Sequence, residues 1–118
     1  MLHHVSLEVE PDHLDRTVEL FGLLGFDRVP APGPIAAFVT WLERGGTQIH
    51  LIGTPEATTP ALGHPAVVAA DFGASVERLR QAGFEVEGAD DLWGEQLAFA
   101  LLPGGGRVEL MAAPPPAR

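Results

Sequence analysis

Polar and apolar residues alternate at the front of the chain. In HVSLEV, Val5, Leu7 and Val9 fall on one face while His4, Ser6 and Glu8 fall on the other, the period-two signature of a half-buried strand. The period then lengthens. Leu14, Val18, Phe21 and Leu24 recur at helical spacing, with Asp12 as the expected N-cap, Asp15 at the third helical position and Gly25 as the left-handed stop. Phe26-Asp27 opens another strand, and AAFVTWLERGGTQIHLI reads strand, Gly-Gly turn, strand.

The same order of patterns returns about sixty residues later. HPAVVAADFGASVERLRQAGFEVEG reads strand, helix, Gly-Phe, strand, with Asp71 or Ser75 as cap, Val76, Leu79 and Ala82 inward, and Gly83 as stop. QLAFALLPGGGRVELM closes it as a second hairpin. Each copy is thus β-α-β-β-β, an α+β pattern. The expected divisions are a first module over 1–53, a Pro/Thr/Gly-rich linker over 54–63, a second module over 64–112 and a flexible tail over 113–118, all within one structural domain. The residues between Asp27 and Ala36, and from Gly88 to Glu95, read as loops or irregular edge strands.

Composition narrows the class. The chain has 118 residues, 46% of them hydrophobic, which suits one packed domain. It has no cysteine, hence no disulfide framework or thiolate chemistry. No apolar run is long enough to span a bilayer, and the N-terminus shows no signal-peptide pattern, so a cytoplasmic protein without membrane association is expected. All seven bases are arginine, against sixteen acids, and the net charge of −9 argues against a nucleic-acid partner.

The repeat also aligns chemistry. His4 and His64 open the two copies sixty residues apart, and His50 and Glu109 sit in the two closing strands fifty-nine apart. Gln48 and His50 oppose Ile49 and Leu51, just as Arg107 and Glu109 oppose Val108 and Leu110. If the apolar sets pack beneath the helices, all four candidates project to the concave side, and His3 faces the other way. Three imidazoles and a carboxylate suit a divalent ion such as Zn, Ni, Co, Mn or Fe, with positions left open for substrate oxygens. Ser6, Glu8, Gln48 and Arg107 share the cleft face as candidate substrate contacts. Arg107 could anchor a carboxylate or phosphate, or pair with Glu8. Trp93 is placed to wall the cleft, and Trp41 reads equally well as core.

LHHVSLEV, FGLLGF, HPAVVAADFGASVERLRQAGFEV and LWGEQLAFALLPGGGRVELM, in this order and spacing, resemble the vicinal oxygen chelate superfamily of glyoxalase-like, dioxygenase-like and bleomycin-resistance-like proteins. The closing LPGGGR departs from the acidic turn common in that family. The resemblance implies paired βαβββ modules in an incompletely closed eight-stranded mixed barrel, with metal ligands at His4, His50, His64 and Glu109. It implies an enzyme of the glyoxalase I or epimerase type, a lyase or isomerase in which a divalent ion stabilises the enolate of a small oxygenated substrate. Glu109, moving between ligand and base, is the first candidate general base, and His50 the second. An Fe(II) extradiol-type dioxygenase would instead use His4, His64 and Glu109, with His50 beside them. A metal-free, bleomycin-type drug-binding protein is the third expectation. A homodimer is expected, with each site drawn from one chain or from two.

Overall fold

The computed structural model describes residues 1–117; Arg118, the last residue of the tail assigned to 113–118, lies outside them. The chain divides into two compact units, Met1–Thr59 and Pro60–Arg118. The first contains β1 (His4–Val9), a 3-10 turn over Pro11–His13, α1 (Leu14–Leu23), β2 (Asp27–Val29), β3 (Val39–Arg44) and β4 (Thr47–Gly53). The second contains β5 (Ala66–Val68), α2 (Phe72–Gln81), β6 (Val86–Ala89), β7 (Leu97–Leu101) and β8 (Arg107–Met111). The element order is that of the repeat.

Each unit builds its own four-stranded mixed sheet. The strand orders are β1-β4-β3-β2 and β5-β8-β7-β6, so the closing strand of each hairpin lies between the opening strand and its hairpin partner. The opening strand pairs in parallel with the closing one, and the remaining pairs are antiparallel. Neither sheet closes on itself.

Alternation explains the burial. On β1, His4, Ser6 and Glu8 are exposed while Val9 is buried. On β8, Val108 and Leu110 are fully buried on the face opposite Arg107 and Glu109. Withdrawing each such side chain from water contributes about 1.5–3 kcal/mol, which fixes the register: slipping by one residue would send this apolar set to the other face. Gly45 and Gly46, with φ of 57° and 83°, form the two-residue turn that holds β3 against β4.

The helices depart from the expected caps and stripe. Pro11 begins a 3-10 turn that takes Asp12 into its interior, so His13, without a side-chain capping bond, stands at the N-cap of α1. Asp15 is accordingly the second helical residue. The buried side of α1 centres on Thr17, Leu20 and Phe21, with Leu24 just beyond, and leaves Leu14 and Val18 half-buried. Thr17 tolerates burial because its hydroxyl donates to the His13 carbonyl at 2.8 Å. In α2 the cap is Asp71, whose carboxylate accepts from the Ala74 amide; Ser75 is a buried helical residue. Gly25 and Gly83, at φ of 92° and 90°, terminate the two helices as the sequence predicts.

Candidate functional site

The four candidate residues occupy equivalent places in the two units, His4 opening β1 and His64 two residues ahead of β5. Across β1 and β4, Ser6 faces His50; across β5 and β8, Ala66 faces Glu109. His4 and His64 each lie two residues before those partners. On the other side, Trp41 of β3 faces His50, and Phe99 of β7 faces Glu109. Gln48 and Arg107 hold the matching positions one pleat away. Each unit therefore carries a histidine at or just ahead of its opening strand, a ligand-type residue on the central closing strand and an aromatic residue beside it.

In the first unit these residues form a stack. The His4 and His50 rings lie 4.0 Å apart at 19°, and the Trp41 ring lies 4.4 Å from His50 at 4°. Because β4 runs between β1 and β3, His50 is covered from both sides, and it is buried. Burial first, then the neighbouring His4 and His3 rings, lower the His50 pKa below the ordinary imidazole value, because each disfavours a second positive charge. His50 Nε2 lies 2.7 Å from Gln48 Oε1, and Gln48 Nε2 donates to Glu43 at 3.0 Å.

His3 behaves differently from the expectation that it faces away. Its Nδ1 lies 3.0 Å from His4 Nδ1, one ring donating to the other. His3 precedes β1, so the pleat does not dictate its direction.

In the second unit, His64 and Glu109 are in direct contact. His64 Nε2 lies 2.9 Å from Glu109 Oε1, and His64 Nδ1 lies 2.8 Å from the Leu62 carbonyl oxygen. Phe99 presents its ring edge-on to His64 at 5.1 Å, and the Arg107 guanidinium lies over the Phe99 ring at 4.2 Å. No ion pair among the described residues involves Arg107.

The remaining candidates fall as follows. Ser6 is exposed on β1 between His4 and Glu8. The Glu8 carboxylate accepts from the Thr58 amide and hydroxyl at 3.2 and 3.3 Å. Trp93, ahead of β7, donates from Nε1 to the Ala113 carbonyl at 3.1 Å. Gln48 is buried with both ends of its amide engaged. Trp41, Phe99 and Glu43 were not identifiable as site neighbours by strand alternation alone. The signal that finds the two aromatics is their common repeat position beside the ligand strand.

The structure thus brings together His4 with His50 and His64 with Glu109. Among the described residues, no three such groups gather into a cluster able to hold a metal ion. Each pair by itself is built from donor types that suit a divalent metal: imidazole with imidazole, imidazole with carboxylate. His64 and Glu109 already place a nitrogen and an oxygen donor 2.9 Å apart.

Neither a family model nor a curated protein matches the sequence. Solved structures do match it. A Bacillus anthracis protein described as of the glyoxalase family superimposes with a TM-score of 0.82, covering 94% of this chain and 93% of its own at 18% identity. Oxidase ChaP-H2 gives 0.75 over 99% and 96% of the two chains at 22% identity. A bleomycin resistance determinant encoded on transposon Tn5 gives 0.61 over 91% and 94% at 16% identity. These neighbours are members of the vicinal oxygen chelate superfamily, and this chain has their fold.

Proposed function

We propose that the His4–His50 pair and the His64–Glu109 pair are the two halves of one divalent-metal site in a lyase or isomerase of the glyoxalase type. The observation that carries this reading is the equivalence of the pairs: His50 and Glu109 hold the same register on the closing strands of the two sheets, each with a histidine two residues before its opening-strand partner. In this reading the two sheets build one incompletely closed eight-stranded barrel, within a chain or across a cytoplasmic homodimer. When bound, the ion supplies Lewis-acid stabilisation of negative charge that develops on substrate oxygens.

The chain's own residues supply the rest. Glu109 is the proton acceptor of choice, since its carboxylate lies on the same face of β8 as Arg107 and already exchanges a hydrogen bond with His64. His50, kept neutral by its surroundings, is the second proton carrier. Arg107 is held by the Phe99 ring with no ion-pair partner among the described residues, which suits an anchor for a substrate carboxylate or phosphate. Ser6, exposed beside His4, offers a hydroxyl to the same ligand. Trp93 closes the wall ahead of β7.

Metal analysis of protein purified without a histidine tag, followed by turnover assays with 2-oxoaldehyde thiol adducts and with 2-substituted acyl thioesters, tests the proposal. Bound divalent metal and chelator-sensitive isomerisation support it. Bound iron with oxygen consumption would transfer the assignment to a dioxygenase using His4, His64 and Glu109. Binding of a cationic glycopeptide drug, unaffected by chelator, would transfer it to a drug-sequestering protein.

A further inference from the structure

We infer that Glu43 and Gln48 are positioning residues that fix the tautomer of His50, leaving Nδ1 as the nitrogen His50 presents to a ligand. The purpose of the device rests on the metal-site reading, but the device itself does not. Its logic begins at Glu43. A carboxylate only accepts hydrogen bonds, so the Gln48 atom 3.0 Å away has to be the amide nitrogen. The planar amide then turns its carbonyl oxygen to His50 Nε2, at 2.7 Å. That oxygen also only accepts, so Nε2 carries the proton. In a neutral imidazole the lone pair then sits on Nδ1.

The fold makes this chain of bonds difficult to rearrange. Glu43 and Gln48 are directly opposed across β3 and β4, close to the Gly45-Gly46 turn, and Gln48 and His50 are successive residues on one face of β4. Gln48 and His50 are only 9% and 8% exposed, so water is a poor substitute for either partner. Trp41 and His4 cover the two faces of the His50 ring and hold its plane.

The second unit lacks the device. At the position of Gln48 it carries Arg107, which cannot accept a hydrogen bond, and the tautomer of His64 is instead set from the far side, where Nδ1 donates to the Leu62 carbonyl. The two histidines therefore differ in the ring nitrogen turned to their neighbours: His50 is left with Nδ1, whereas His64 holds Nε2 against Glu109 Oε1 at 2.9 Å. Glu43 and Gln48 are what make the first half of the site differ from the second.

The test is long-range proton–nitrogen correlation NMR on metal-free protein labelled with nitrogen-15 at histidine, at a pH where the rings are neutral, with His50 assigned from a His50→Gln variant. Wild type is expected to show a protonated Nε2 and an unprotonated Nδ1 at His50. Gln48→Leu and Glu43→Gln are each expected to lower the ratio of that tautomer to the other by roughly two- to tenfold, the weight of one hydrogen bond. The double exchange Glu43→Gln/Gln48→Glu restores it, because a carboxylate then stands directly against Nε2. A merely structural role for these residues would not move the ratio and restore it in this way. A wild-type ring protonated at Nδ1, or evenly mixed, overturns the inference; so does a ratio unmoved in the single variants. Should Gln48→Leu fail to fold, Glu43→Gln carries the comparison alone. The readout needs no metal, so its failure is distinguishable from failure of the metal-site reading.

Discussion

His64 Nε2 lies 2.9 Å from Glu109 Oε1 while His64 Nδ1 lies 2.8 Å from the Leu62 carbonyl oxygen. The Nε2–Oε1 hydrogen bond contains one proton, whichever of the two atoms carries it. A metal ion taken up by the pair must displace that proton. Calorimetric titration with Zn2+ or Ni2+ in buffers of different ionisation enthalpy should therefore report release of about one proton per ion. Glu109→Gln should reduce both the release and the affinity. Buffer-independent heats would contradict this.

Trp41 offers an optical reporter, because its ring stacks 4.4 Å from His50. Occupation of His50 by a metal should change tryptophan emission in a Trp93→Phe variant, where Trp41 is the sole fluorophore. The response should disappear in Trp41→Phe. Emission that responds only through Trp93 would place the ion away from the stack.

The pH dependence of stability follows from His50. Its folded pKa lies below the ordinary value of 6.5, through burial first and then the adjacent imidazoles. Between those two values the unfolded chain binds more protons, so stability rises with pH there. The contribution is complete above 6.5 and is lost as pH falls towards and through the lowered folded value. Urea denaturation at pH 7.5 and pH 5.5 should show a larger loss in wild type than in His50→Gln. Equal losses would remove His50 from the account.

Leu110 is fully buried and points away from Glu109 on β8. Leu110→Ala should destabilise the chain by about 2–5 kcal/mol, measured by denaturant unfolding, while His64 and Glu109 keep their hydrogen bond. A cost under 1 kcal/mol would mean that the apolar face of β8 is not packed as described.

Much of this organisation is legible in the sequence, for physical reasons. Strand alternation places His4, Ser6 and Glu8 on one face and Val108 and Leu110 on another, because the pleat has a fixed period. The stops at Gly25 and Gly83 are legible because few other residues accept positive φ. Other features depend on contacts that alternation does not encode. Asp12 reads as a cap until Pro11 draws it into a 3-10 turn. Gln48 reads as a cleft residue until Glu43, opposite it across the hairpin, occupies its amide. Trp41 reads equally well as core or cleft wall because a single tryptophan on a strand carries no indication of its neighbour; only the pairing of β3 with β4 brings it to His50. Alternation puts His4, His50 and Glu109 on the faces opposite their apolar neighbours but does not reach His64, which precedes β5, and the two contacting pairs emerge only from the strand order.

The most direct measurement is metal affinity, by competition with a chromophoric chelator, for His4→Ala, His50→Ala, His64→Ala and Glu109→Ala, with His13→Ala as a control. If the two pairs act as one site, all four substitutions weaken binding of the same ion, each by roughly tenfold or more, and the control does not. If His64→Ala and Glu109→Ala abolish binding while His4→Ala and His50→Ala leave it unchanged, or if no substitution matters, the pairs do not share an ion and the proposal fails.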